Sequence, residues 1–522
     1  MRSIPHLCLF ILLIGMLPAG GYAQTVTFDQ VRKLRTRGIG TIENDNQVVG
    51  YYFFYEQDKA DRQNRNYILQ VTDAAGKSVM RKSLTRPKRV VLSEVSFNGS
   101  AFLLFFKDPK ERSFEFVTYD RSGERIGRKF RKDLSRPEFF GAKTTISGEE
   151  TEREVYPVAN QGFVVYGNHP EEKRGYTVTY YPNDFDRQSD WTKKSKPKLV
   201  QKAFFSDFAD GVLYNLIYDY KRTNRKKITI AIQAIDLASG KIRYETPVIA
   251  PPAPLTVINS FYDEASKQLF AVGTFHKDNT NAFGQPRGIY VMTLDADGKR
   301  KHIKMLDYDS AFDDFVEMSK RGKIKEEGGG LIYFHRMIRR GDRVFLIGEN
   351  YKKTADGLGI ASAVLGGDGN LTKIQIGNMT ILELNEKLEL VDYQSFDKTR
   401  SNVYPNNFDP TLVPIAVLGN MLRQSGDFDY LFTTTSRKDN NFYASYLNFM
   451  RDKEAKGLRK RRLTVGTIVF DEEAGFTEDK FQIDTRGTRI FRVMEGKPGY
   501  VMLLEYNARE KAVDLTPQKI EF

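Results

Sequence analysis

Residues 118–127 read TYDRSGERIG, and five relatives of this decapeptide recur along the 522-residue chain. VTDAAGKSVM (71–80), AIDLASGKIR (234–243) and TLDADGKRKH (293–302) share its scheme, and ELNEKLELVD (383–392) and VFDEEAGFTE (469–478) are looser copies. Each sets apolar residues before an Asp or Asn, then polar residues usually including Gly, then a renewed strand-like stretch. This is hairpin chemistry: the Asp or Asn side chain bonds its own turn backbone, and Gly accepts positive φ without a Cβ clash. Asp120 and Gly123 are therefore read as closing a turn, not as binding a metal or phosphate.

The flanks agree. FEFVTY (114–119) and ITIAIQAI (228–235) are rich in β-branched and aromatic residues and sustain no helical spacing. Eight strand candidates punctuate the chain: VVGYYFFYE (48–56), GSAFLLFF (99–106), GFVVYGNH (162–169), GVLYNLIY (211–218), KQLFAVGTF (267–275), DRVFLIGENY (342–351), DYLFTTTS (429–436) and GYVMLLEY (499–506). Repetition at roughly 50–90 residues predicts one small antiparallel sheet per repeat. Arranging such sheets radially buries each against its neighbours and leaves only short edges. The expected fold is an all-β propeller of seven or eight blades, with a long double-sheet β protein as the rival. TVTFDQVRKL (25–34) is placed to complete the last blade and tie the chain ends together, which would allow a count of seven.

The repeats lengthen in the C-terminal half, where inserts fall near 309–325, 351–371 and 410–424. YDSAFDDFVEMSKRGKI (308–324) predicts a helix, with Ser310 and Asp313 fitting a capping box and Phe312, Phe315 and Val316 forming an apolar stripe. GLGIASAVLGGDGN (357–370) is a glycine-rich excursion, and PTLVPIAVLGNMLRQ (410–424) reads as a second helix or an extended connection. Long inserts in a regular β array are where binding surfaces are built.

AIDLASGKIRY (234–244) resembles the repeat of quinoprotein-type propellers, Ala-x-Asp-x-x-Thr-Gly-Lys-x-x-Trp. Ala234, Asp236, Gly240 and Lys241 match, Ser239 stands for Thr and Tyr244 for Trp. The resemblance implies propeller geometry. It does not extend to the quinone cofactor, because the other copies lack the tryptophan, Trp191 is the single Trp, and the only cysteine is Cys8. No cofactor is expected. More broadly, the N-terminus followed by VVGYYFFYEQDKADRQNRNYILQVTDAAGK (48–77) resembles an uncharacterised family of secreted bacterial proteins, which carries no assigned activity.

That N-terminus has the layout of a secretory signal peptide over residues 1–23. Arg2 precedes the apolar run LCLFILLIGML (7–17), and small residues end in Gly21-Tyr22-Ala23, with cleavage expected before Gln24. Cys8 lies inside the apolar run and not at the cleavage point, so neither a lipid anchor nor a disulfide is expected. The mature chain, 24–522, is then one propeller domain, exported to the periplasm or beyond. Its formal charge of +13 falls by one with Arg2. The densest basic run is KEAKGLRKRRL (453–463), and Arg459, Lys460, Arg461 and Arg462 are the candidate contact surface. Such an excess suits an anionic partner and permits peripheral membrane contact. Export makes nucleic acid an improbable partner, and an envelope protein or glycan is expected instead.

Catalytic signals are thin. The remaining histidines, His169, His276, His302 and His335, form no metal-binding motif, and neither a Gly-x-Ser-x-Gly elbow nor a phosphate-binding loop occurs. Asp184, Asp186 and Asp190, and Asp295 with Asp297, fall short of a calcium loop. No metal site is expected. Tyr180 and Tyr181 beside Trp191 are the candidate exposed aromatic group, and Asn98-Gly99-Ser100 is read as a hairpin turn rather than a glycosylation site.

The expected function is a non-catalytic binding or scaffold protein of the periplasm or cell envelope, its ligand open. The alternative is a carbohydrate-active enzyme, a glycosidase or lyase, using carboxylates at the central funnel. Acidic residues clustered with exposed aromatics at the funnel favour the enzyme, and apolar or unpaired basic groups favour binding.

Overall fold

The computed structural model describes residues 25–521, apart from 45–46, 142–153, 172–174, 197–199, 222–223, 250–254, 277–285, 318–329, 358–371, 405–414, 437–439, 452–460 and 484–489. The chain forms eight antiparallel sheets arranged as an eight-bladed propeller.

After β1 (Val26–Phe28), blade 1 comprises β2 (Lys33–Asn44), β3 (Gln47–Lys59), β4 (Asn64–Asp73) and β5 (Ser78–Pro87). Blade 2 comprises β6 (Val91–Phe97), β7 (Ala101–Asp108), β8 (Ser113–Asp120) and β9 (Arg125–Arg131), followed by the short helix α1 (Arg136–Gly141). Blade 3 has β10 (Val155–Val158), β11 (Gly162–Asn168), β12 (Tyr176–Pro182) and β13 (Trp191–Lys194). Blade 4 has β14 (Val200–Ala209), β15 (Val212–Lys221), β16 (Asn224–Asp236) and β17 (Ile242–Pro247). Blade 5 contains β18 (Leu255–Asp263), β19 (Gln268–Phe275), β20 (Gly288–Leu294) and β21 (Arg300–Asp307). Blade 6 contains β22 (Leu331–Arg340), β23 (Arg343–Ala355), β24 (Thr372–Leu384) and β25 (Leu390–Phe396), with β26 (Ser401–Val403) added on β24. A helix, α2 (Ile415–Ser425), precedes blade 7, formed by β27 (Tyr430–Thr435), β28 (Phe442–Arg451), β29 (Arg461–Asp471) and β30 (Gly475–Ile483). The last blade is β31 (Ile490–Glu495), β32 (Tyr500–Asn507) and β33 (Ala512–Lys519), completed by β1.

The expected closure is therefore present: Val26, Thr27 and Phe28 pair with Leu515, Asp514 and Val513. It does not reduce the count to seven, because the strand after β1 starts a full blade of its own. Thr27 Oγ1 donates to Asp514 at 2.6 Å, and Val31 N to the Lys511 carbonyl at 2.7 Å.

Among the described residues eight apolar clusters hold the ring, one between each neighbouring pair of blades. The period-two alternation of a strand feeds two of them at once. In β7, Phe102, Leu104 and Phe106 face blade 1, while Ala101, Leu103 and Phe105 face blade 3. Central strands covered on both faces read as unbroken apolar runs. For that reason all of Tyr51, Tyr52, Phe53, Phe54 and Tyr55 are buried, not alternate residues only. The outer strands, open on one side, alternate, as in β5.

The turn chemistry is as read. Asp120 Oδ1 accepts the backbone N–H groups of Ser122 at 2.9 Å and Glu124 at 2.8 Å, and Gly123 has φ 84°. The turn glycines also dock blade on blade. Gly240, in blade 4, lies under the Trp191 ring of blade 3, where a Cβ would stand 2.6 Å from Cγ. Gly298 of blade 5 lies under Tyr244 of blade 4 in the same way. The position resembling the quinoprotein Trp thus seals adjacent blades.

One insert differs from expectation. Residues 308–317 form successive turns, not a regular helix: the Asp307 carbonyl accepts Ser310 N and Ala311 N, and the Phe312 carbonyl accepts Phe315 N and Val316 N. Phe312 nonetheless buries completely between blades 5 and 6. Of the 410–424 segment, the described residues from Ile415 on form the helix α2. The glycine-rich stretch 358–371 lies outside the described residues, as does the N-terminal segment 1–24.

Candidate functional site: the axial channel

Innermost strands of a propeller surround its axis, and here they enclose a cavity of about 630 Å³. Its walls come from β2 (Glu43), β10 (Tyr156), β22 (His335, Arg336), β27 (430–435) and β31 (Arg492, Glu495), with Arg423 and Gln424 of α2. The volume falls within the range of small-molecule sites, roughly 300–1,000 Å³.

Helix α2 is held by its buried side. Asn420 Nδ2 donates to Tyr218 Oη at 2.9 Å and to the Ile258 carbonyl at 3.0 Å, and Tyr333 Oη donates to Asn420 Oδ1 at 3.1 Å. Gly419 allows the approach, since a Cβ there would stand 2.6 Å from the Tyr333 ring. Leu418 and Leu422 pack between blades 5 and 6. The next turn therefore carries Arg423 to the cavity, where its Nη1 donates to Asn259 Oδ1 at 3.1 Å.

The charge pattern is mixed. Arg336, Arg423 and Arg492 line the cavity, and none of them forms an ion pair among the described residues. Burial, and then the neighbouring Arg37, lower the Arg492 pKa below the usual guanidinium range. Protein surrounds Arg492, yet its side chain is accessible within the channel. Burial, and then the Glu43 charge, push the Glu495 carboxyl up to about 7, against a hydrogen bond with Thr434 and the charge of Arg336. Tyr156, Tyr430 and Phe432 supply partly exposed aromatic wall.

Behind His335 lies a buried ion network joining blades 6 and 7. Lys398 Nζ is 2.9 Å from Glu349 Oε1 and also pairs with Asp429, which accepts from Ser401 Oγ. Glu349 Oε2 accepts Tyr430 N at 3.0 Å, fixing the start of β27, and lies 3.5 Å from His335 Nε2. Burial disfavours the Lys398 ammonium, but Glu349 and Asp429 outweigh it and raise its pKa. Burial also lowers the His335 pKa despite Glu349, so the ring that stacks on Tyr430 at 4.4 Å stays neutral near pH 7. The network is a strut for the channel wall.

Residues 4–521 match the model of a family of unknown function, DUF6770. The chain belongs to the DUF6770 family. No curated protein matches its sequence. Among solved structures, this DUF6770 member is similar to apo prolyl oligopeptidase B from Galerina marginata, at 11% identity and a TM-score of 0.38, covering 92% of this chain and 56% of that one. It thus spans a little over half of the oligopeptidase. It is also similar to the quinohemoprotein alcohol dehydrogenase from Comamonas testosteroni, at 11% identity and a TM-score of 0.34, covering 81% of this chain and 68% of that one.

In the DUF6770 propeller the residues singled out by sequence mostly serve the scaffold. Asp184 Oδ1 accepts Asp186 N at 3.0 Å and Arg187 N at 3.2 Å, while Asp190 pairs with Lys129. Asp295 Oδ1 accepts Asp297 N at 3.1 Å and Lys299 N at 2.8 Å. Among the described residues no three His, Cys, Asp or Glu side chains form a metal-binding group. Tyr180 and Tyr181 are buried between blades, and the Trp191 indole donates to the Leu237 carbonyl at 2.7 Å, so this trio is not the expected exposed platform. Asn98 closes its turn, accepting Ser100 N at 3.1 Å and Ala101 N at 2.9 Å. Of the basic run, Arg459 and Lys460 lie outside the described residues, and Arg461 and Arg462 open β29 opposite Arg451 and Met450. His335 does reach the cavity, whereas its other charged members come from innermost strands and from α2, positions that sequence spacing did not connect.

Proposed function

We propose that the protein is a non-catalytic binding protein of the bacterial periplasm or cell envelope, and that its ligand seats in the axial channel. One observation carries this reading: Arg336, Arg423 and Arg492 line the channel without an ion pair among the described residues, although Asp207 and Glu495 act on them from a distance. Unpaired basic groups in a funnel suit recognition, because desolvated cations are costly until a ligand compensates them. Export through the segment 1–23 and an envelope protein or glycan as partner complete the proposal. The basic positions Arg459 to Arg462 offer a second contact surface.

The test is affinity capture from envelope extracts and on a glycan array, using wild type, the channel-filling variant Thr435→Trp, and a charge reversal of Arg459 to Arg462. Capture lost only in Thr435→Trp supports the channel. Capture unchanged in Thr435→Trp overturns it, and loss only on charge reversal assigns binding to the basic run.

A second reading has one observation of its own. Glu43 and Glu495 share the cavity, and the raised Glu495 pKa matches what a general acid needs near neutral pH. A carbohydrate-active enzyme built on this pair would degrade an oligosaccharide and lose at least a hundredfold in rate on Glu495→Gln. Binding without turnover of the captured glycan rejects it.

A further inference from the structure

The composition of the channel also restricts what it can hold. Three guanidinium groups reach it from three separate elements, β22, α2 and β31. Arg423 is held by Asn259 at 3.1 Å, and the buried Asp207 carboxylate acts on it and on Arg336 without forming an ion pair with either among the described residues. Arg37, whose like charge repels that of Arg492, is itself paired with Glu94 at 3.5 Å. Two buried lysines elsewhere are matched by carboxylates. Lys107 Nζ meets Glu154 at 2.7 Å, and Lys398 meets Glu349 and Asp429. The channel arginines, by contrast, form no ion pair among the described residues.

The acids that line the channel form no ion pair with them among the described residues. Glu43 and Glu495 repel one another, and near neutrality Glu495 carries a proton for much of the time. A protonated carboxyl can donate a hydrogen bond to an oxyanion instead of repelling it. His335 is neutral and packed between Tyr430 and Phe428. Tyr430 and Phe432 leave part of their rings on the wall beside these groups.

We infer that the channel binds a small organic oxyanion, a carboxylate- or phosphate-bearing ligand whose charge is met by Arg336, Arg423 and Arg492 and whose less polar part lies against Tyr430 and Phe432. This rests on the channel being the binding site. Guanidinium suits such a ligand because its planar fork meets two oxygens at once.

Isothermal titration of the mature chain with three probes tests it: digalacturonate, its neutral counterpart galactobiose, and inorganic phosphate. At least one anionic probe binds, and galactobiose binds at least tenfold more weakly. Arg336→Gln and Arg492→Gln each weaken the anion about tenfold or more, the effect expected for a charged hydrogen bond. Arg492 makes no ion pair among the described residues, so its replacement leaves the thermal unfolding transition in place, and Arg492→Lys recovers part of the affinity. Which probe binds separates a carboxylate ligand from a phosphate one. Absence of binding by both anions overturns the inference, as does unchanged affinity in both Gln variants. Galactobiose bound as tightly as digalacturonate, and lost in Thr435→Trp, overturns the anion assignment while the channel reading stands.

Discussion

Gly298 adopts φ 76° beneath the Tyr244 ring, and its two tasks explain why no other residue fits there. A Cβ would strain the left-handed backbone and also push the ring that seals blade 5 against blade 4. Gly298→Ala is expected to cost about 1–3 kcal/mol, read from urea unfolding. The turn itself was legible, because Asp followed by Gly states its own hydrogen bonds: Asp236 accepts Ser239 N at 2.9 Å just as Asp120 accepts Ser122 N. Docking of the glycine on an aromatic ring of the preceding blade was not legible, since it joins residues some fifty positions apart. Leu388 shows how far the turn tolerates change, taking positive φ (60°) in the glycine position while burying its side chain. Arg243 and Ser239 hydrogen bonds hold the Asp236 carboxyl down at about 2. Its folded pKa lies below the unfolded value of roughly 3.9, so its contribution is present at neutral pH and is lost as pH falls through that window. Asp236→Asn should flatten that part of the acid unfolding curve.

Among the elements, strand order followed from sequence where blades repeat and failed where they deviate. Seven of the eight strand candidates are second strands, but 429–436 is β27, an innermost strand. The second strand of blade 7, β28, reads FYASYLNFMR, and its buried Ser445 and Asn448 broke the apolar run. The 308–317 segment carries a helical stripe, yet folds as turns, with Tyr308 and Val316 at its ends and Phe312 in its middle all packed into the core. Between blades 6 and 7 the Lys398 network takes on much of the joining. Lys398→Met leaves Glu349 and Asp429 without their cation and is expected to cost about 3–5 kcal/mol in denaturant unfolding. A loss below about 1 kcal/mol would show that the strut is dispensable.

At the scale of the molecule, one short strand closes the ring. Deleting residues 24–29 removes β1, leaves β33 as an exposed edge and takes away the Thr27–Asp514 bond. That truncation should lower the thermal midpoint by several degrees, while an internal substitution at exposed Val79 should not. The fold was readable because each repeat carries local turn signals. The channel was not, because its charged groups run from Glu43 to Glu495 and only ring closure brings them together. Their one local trace is a charge on an innermost strand. Glu495 ties the site to stability: its folded pKa of about 7 lies above the unfolded value of roughly 4.3. The native state then holds the extra proton, so this stabilisation is complete below the unfolded value and is lost as pH rises towards and through 7. Glu495→Gln should remove that decline in pH-dependent melting.

The claim that the channel is the binding site is tested most directly by amide hydrogen exchange on the protein with its captured ligand. The account predicts slowed exchange in β27, β31 and α2, with the outer strands unchanged. Protection confined to the outer strands, or to the segment around Arg459 to Arg462, would contradict it.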